Sequence, residues 1–177
     1  MANSDGPPRV LLIFALMLAV GSIAAVLAIA ATRHNAQHPV AVSPVPVPHA
    51  QDPACLTLLA AVPPQLGEYH RVDAPPPAAG TVVWQHGDAP VVLQCGLERP
   101  ADFVVGSPIQ LVDNVQWFTV GGQPSGAETH SSTWYTVDRP VYLALTLPPG
   151  SGPAPIQQLS EVIDRTIAAV PIDPVGS

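Results

Sequence analysis

A run of about 22 residues, Val10 to Ala31 (VLLIFALMLAVGSIAAVLAIAA), carries no charged side chain. As a helix it is long enough to cross the roughly 30 Å hydrocarbon core of a bilayer. This run decides where the rest of the chain goes, and two outcomes compete. An uncleaved anchor accounts for the length, since the apolar core of a signal peptide spans only about 7–15 residues. A cleaved signal accounts for the small-x-small pattern Ala28-Ile29-Ala30. Arg9 and Arg33 flank the run and nearly cancel as orientation signals. The expected arrangement is a single-pass cell-membrane protein, with residues 1–9 in the cytoplasm and residues 10–31 as a transmembrane anchor. The lipid bilayer is then a partner through residues 10–31. The alternative is secretion after signal cleavage, and both deliver residues 32–177 outside the cytoplasm. No Cys lies near the end of the run, so there is no thiol there to acylate.

Residues 32–51 (TRHNAQHPVAVSPVPVPHAQ) read as a spacer. Pro44, Pro46 and Pro48 cannot sustain a helix and favour extended polyproline geometry, a semi-rigid stalk. His34 and His38 have the i, i+4 spacing that holds a metal on an ordered helix. Here the neighbourhood is Pro-rich, and neither a carboxylate nor a Cys joins them. They read, with His49, as solvated linker histidines, and no metal or cofactor is assigned.

The net charge is −7, and twelve of the thirteen acids lie after Ala31. An acidic exported part argues against a sequence-independent nucleic-acid binder or a polybasic membrane-surface binder. All six basic residues are Arg. With abundant Ala, Pro, Val and Gly, this points to a GC-rich genome.

Residues 52–170 form the expected folded domain, with a loose tail at 171–177. Asp52 can cap a helix and Pro53 suits its first position. Cys55, Leu58, Leu59 and Val62 then fall on one helical face, and Pro63-Pro64 ends the helix. Leu66 to Gly80, with Pro75-Pro76-Pro77, reads as a loop. Thr81–Gln85, Val91–Leu97, Val115–Val120, Ser132–Val137 and Val141–Leu147 read as strands, with Ile109–Val112 as a short further candidate. His86-Gly87-Asp88 is a turn, and Gly121–Gly126 a Gly/Ser-rich loop. Only Asp138-Arg139-Pro140 separates the last two strands, which predicts an antiparallel hairpin. Ile156, Leu159, Ile163, Ile167 and Val170 form the stripe of a last, amphipathic helix. The order predicts an α+β domain: a mostly antiparallel sheet of about five strands, a short N-terminal helix and a C-terminal amphipathic helix, preceded by one transmembrane helix.

The chain has two cysteines, Cys55 and Cys95, each on the core-facing side of its element. An oxidising compartment and two inward-facing thiols predict a disulfide. The spacing fits no metal motif, and no activating His adjoins either Cys.

No catalytic residue is assigned. Gly122-Gln123-Pro124-Ser125-Gly126 has the wrong spacing for a nucleophile elbow. Glu68, His70 and Asp73, and separately His86 and Asp88, place ligand-capable groups on loops. His130 has no evident third partner. Trp84, Trp117 and Trp134 lie on three strands. Trp117 shares parity with Val115 and reads as core. Trp134 shares parity with Thr136 and Asp138 and reads as facing solvent or a groove. Arg99, at a strand end, could hold a carboxylate. The candidate ligand-binding residues are therefore Trp134, Arg99, His86 and Asp88.

Asp52-Pro53-Ala54-Cys55 and Val91-Val92-Leu93-Gln94-Cys95-Gly96-Leu97-Glu98-Arg99-Pro100 resemble the signature of an actinobacterial family known as domain of unknown function 3515. The resemblance extends over roughly residues 50–170. It implies a small exported or membrane-anchored envelope protein and supplies no activity. The expectation for function is a non-enzymatic binding or assembly module whose partner is an envelope protein or a cell-wall ligand. The alternative is an envelope hydrolase with a site assembled from loop histidines and carboxylates.

Overall fold

Helix α1 (Pro53–Ala61) begins where Asp52 Oδ1 accepts the Ala54 N–H at 2.8 Å, and ends where Val62 turns extended ahead of Pro63-Pro64. The structure, a computed structural model, describes residues 13–14, 16–23, 46–73, 78–120 and 131–174. The chain divides into two compact units, Met1–His38 and Pro39–Ser177. In the first unit the described residues are helical. Among the described residues no helix is long and apolar enough to cross a membrane, which corrects the transmembrane helix expected over 10–31. Residues 10–12, 15 and 24–31 of that run lie outside the described residues, as do His34, His38 and the spacer up to residue 45.

After α1 come β1 (Gln65–Leu66), β2 (Tyr69–Val72), β3 (Thr81–His86), β4 (Ala89–Leu97), β5 (Ile109–Val112), β6 (Val115–Val120), β7 (Ser132–Thr136), β8 (Tyr142–Leu147) and helix α2 (Ala154–Thr166). Among the described residues the sheet has eight strands in the order β1-β2-β3-β4-β8-β7-β6-β5, every neighbouring pair antiparallel. Two four-stranded meanders therefore meet at a β4–β8 seam. The expectation of about five strands is corrected to eight. Strands β1 and β2 occupy the stretch read as a loop from Leu66. Two residues are too few to show a period, and Tyr69-His70-Arg71-Val72 buries fully only Tyr69.

One face of the sheet carries both helices. Trp84, Val91, Leu93, Cys95, Trp117, Leu143 and Leu145 pack there against Cys55 and Leu58 of α1 and against Ile156, Leu159, Val162 and Ile163 of α2. The indole N–H groups are satisfied inside this core: Trp84 donates to the Pro63 carbonyl at 2.9 Å, and Trp117 to Ser160 Oγ at 3.0 Å. Helix α2 stops at Thr166. Ile167 stays buried just past its end, whereas Val170 lies on the extended chain beyond and donates its N–H to the Asp138 carbonyl at 2.9 Å. Side chains alternate along a strand, so Phe118, opposite Tyr135 and Ile109, points to the other face. There it packs against Phe103, ring centroids 5.3 Å apart and planes tilted by 49°, in a second, smaller core with Val137.

The disulfide joins Cys55 of α1 to Cys95 of β4, Cα atoms 5.6 Å apart, both cysteines fully buried. Next to it, β4 bulges between Cys95 and Leu97. Gly96 sits there at φ +96°, where a Cβ would run into the His49 backbone. That backbone is docked on the bulge: the His49 N–H donates to the Gly96 carbonyl at 2.9 Å, and Ala50 is buried.

Candidate functional site

The register places His86 and Asp88 at the opposite end of the strands from Arg99, and Trp134 within β7. At one end lie the turns Gly67-Glu68 and Gly87-Asp88 and the N-terminal end of α2. Gly87 provides the φ of +58° that a two-residue hairpin turn needs at its first position. His86 belongs to this end. Its Nδ1 lies 3.2 Å from the Glu68 carbonyl, and its ring meets Tyr69 edge-on at 5.9 Å. The Gly67 N–H donates to Gln158 Oε1 of α2 at 2.9 Å. Asp88 and His70 are exposed, on the turn and on β2. Among the described residues, no group of three or more His, Cys, Asp or Glu is placed to hold a metal ion. The Gly122–Gly126 loop and His130 lie outside the described residues.

At the other end, consecutive residues after β4 hold the chain on either side of the domain. Glu98 Oε1 lies 3.1 Å from His49 Nε2, in the segment read as spacer. Arg99 Nη1 donates to the carbonyl and to Oδ2 of Asp173, in the segment read as a loose tail. Arg99 does hold a carboxylate, one supplied by its own chain. Tyr142 stands beside this pair. Burial, above all, raises its phenol pKa; Arg99 opposes the shift and Asp173 adds to it.

Trp134 does not face open solvent. Its parity partners are themselves buried: Thr136 Oγ1 accepts the Leu143 N–H at 3.1 Å, and Asp138 is inside the structure. Trp134 packs partly buried at the margin of the main core, its indole N–H on Ser132 Oγ at 3.0 Å.

The short link Asp138-Arg139-Pro140 hides a buried charge cluster that sequence reading passed over. The Arg139 side chain is 0% exposed and that of Asp138 3%. Arg139 Nη1 donates to Asp138 Oδ2 at 2.9 Å and to the Asp138 carbonyl at 3.0 Å; Nη2 reaches the Asn114 carbonyl at 3.1 Å and Asp164 Oδ1 at 3.4 Å. Asp138 Oδ2 also accepts the Gln116 N–H, and Asn114 Nδ2 donates to Asp164 Oδ2. Arg139 Nε and Asp138 Oδ1 have no hydrogen-bond partner among the described residues. One guanidinium thus ties together the β7–β8 link, the β5–β6 turn and α2. The only sequence signal was an adjacent acid and base where a plain polar turn would do.

Among the described residues, exposed apolar side chains of the folded domain also gather around β5, apart from the single Leu56 on α1 and Val170 and Ile172 beyond α2. Strand β5 is the last in the sheet among the described residues, and it contains no charge and no proline. Leu111 is 69% exposed, on the same face as Ile109 and Phe118, and the preceding turn adds Val105 at 62% and Val104 at 45%. Asp102 precedes this patch and Asp113, held at φ +50°, follows it. Asp102 also helps to raise the pKa of Tyr135, a shift due mainly to burial.

None of the curated proteins and none of the solved structures matches the chain. The model of one family, described as proteins of unknown function, matches residues 16–172. That match takes in α1, all eight strands, the disulfide and α2, and by it the chain belongs to the DUF3515 family.

Proposed function

We propose that this protein is an exported, non-enzymatic binding or assembly module of the cell envelope. The observation that carries this reading is how its side chains are used. Several groups that could do chemistry are engaged in holding the chain: Arg99 on Asp173, His49 on Glu98, Arg139 among Asp138, Asn114 and Asp164. Apolar side chains, by contrast, stand in water around β5. A buried disulfide supports an oxidising compartment.

The test is crosslinking of the full-length protein in native envelopes, followed by affinity purification and mass spectrometry. A reproducible, stoichiometric protein partner is expected. Recovery of the protein alone, with turnover of an envelope substrate by the purified chain, would replace this reading with the hydrolase.

A further inference from the structure

We propose, on the binding-module reading, that β5 is a docking edge for an extended segment of a partner protein, apolar at its centre and basic at its ends, which joins the sheet as a ninth strand. Strand edges in native proteins are blunted by inward charges, prolines, bulges or a covering element, because an open edge pairs with any extended chain. Within β5, Ile109-Gln110-Leu111-Val112, there is no charge and no proline, and its register with β6 is unbroken. The other edge is protected by brevity, since β1 is two residues long.

The register also says which backbone groups are on offer. Asp113-Asn114 joins β5 to β6, so Val112 and Val115 flank a two-residue loop as a hydrogen-bonded pair. By the antiparallel alternation, Gln110 also bonds inward, to Trp117, and the N–H and C=O of Leu111 point out of the sheet. Beside them the exposed Leu111, Val104 and Val105 give apolar contact to a strand laid along the edge.

Charge selects the partner. The chain carries −7, and Asp102 and Asp113 bracket the patch. A second copy would bring the same negative charge to the edge, whereas a strand with Lys or Arg at both ends would meet it with opposite charge.

The probe is a fluorescently labelled eight-residue peptide of alternating Val and Thr with Lys at each end, beside a counterpart ended with Glu. Each is titrated against the full chain, and amide shifts in β5 are followed in parallel. The Lys-ended peptide should bind, shift the Leu111 amide and weaken several-fold as salt rises from about 0.05 M to about 0.5 M. The Glu-ended peptide should bind at least about tenfold more weakly. Leu111→Lys, placing charge on the edge, should abolish binding. If that variant melts early, Asp113→Asn serves instead, since Asn tolerates positive φ, and it should reduce the salt dependence.

Equal binding of the two peptides, no binding of either, or a Leu111→Lys variant that melts normally and binds like the parent would overturn the proposal. So would a dimer in solution that Leu111→Lys dissociates, which would assign the edge to a second copy. A native partner that crosslinks only away from β5 would overturn the docking edge and leave the binding-module reading standing. The absence of any native partner would remove the reading itself.

Discussion

Arg99 donates through one nitrogen, Nη1, to both the backbone carbonyl and the carboxylate of Asp173, at 2.9 Å and 2.8 Å, across 74 residues of sequence. The contact fastens the segment after α2 against the end of β4, where Glu98 already holds His49. The Arg99 side chain is partly exposed, so the pair contributes little to global stability, at most about 1 kcal/mol. Its effect is local. Arg99→Ala should leave the melting temperature nearly unchanged and speed amide exchange in residues 168–173, above all at Val170. Unchanged exchange there would mean that the Val170–Asp138 hydrogen bond holds the tail alone.

Arg139 is expected to behave in the opposite way. Removing it strands the Asp138 carboxylate in the interior, and breaking a buried pair from one side costs about 3–5 kcal/mol. Arg139→Met should lower the free energy of unfolding by that amount, read as a fall in the urea midpoint. The double variant with Asp138→Asn should recover part of the loss, because the uncompensated charge is gone. A urea titration of both variants decides this. A single variant as stable as the parent would show that the cluster does not hold the three elements together.

The disulfide closes a loop of 40 residues, worth about 4 kcal/mol in the chain-entropy account. Cys55→Ala with Cys95→Ala should lose stability of that order. Both cysteines are fully buried, so mild reductant should leave the folded protein oxidised, and only denaturant with reductant should change its mobility on a gel. Free thiols in protein taken from native envelopes would contradict the proposed compartment.

Tyr135 sets an alkaline limit. Burial first, and Asp102 second, raise its phenol above the ordinary value of 10.0. The folded state then keeps a proton that the unfolded state releases. This contribution is fully present below pH 10.0 and is lost as pH rises through the higher folded value. Stability measured by denaturant between pH 9 and 11.5 should fall above about 10, and Tyr135→Phe should lessen the fall. An equal fall in the variant would place the effect on Tyr69 or Tyr142, which are shifted the same way.

Where local chemistry decides conformation, the sequence was a good guide. Asp52-Pro53 and Pro63-Pro64 bound α1, and period-two apolar residues mark β4 and β8. The cysteine pairing followed from which side each thiol faces. What it concealed is set by distant contacts. Strand β2 exists because Arg71 and Val72 find partners on β3, and its polar composition announces nothing. Trp134 was assigned by parity with Thr136 and Asp138, on the premise that polar residues face water. Both are buried, because Leu143 N–H and Arg139 give them partners inside. The sheet edge at β5 was not legible either, since strand order follows from the return of β8 to β4, which no local pattern encodes.

That return has a consequence for how the domain opens. Contacts within each meander link strands close in sequence, whereas the seam links Val92 to Thr146 and Cys95 to Leu143, about 50 residues apart, so closing it costs more chain entropy. The covalent staple lies wholly on one side of the seam, between α1 and β4. The half that carries β5 has no such staple and rests on side-chain packing and the Arg139 cluster. Under denaturant it should be the first to come away, leaving a crosslinked remnant of β1–β4, so that hydrogen exchange would resolve the molecule into two cooperative blocks of unequal protection.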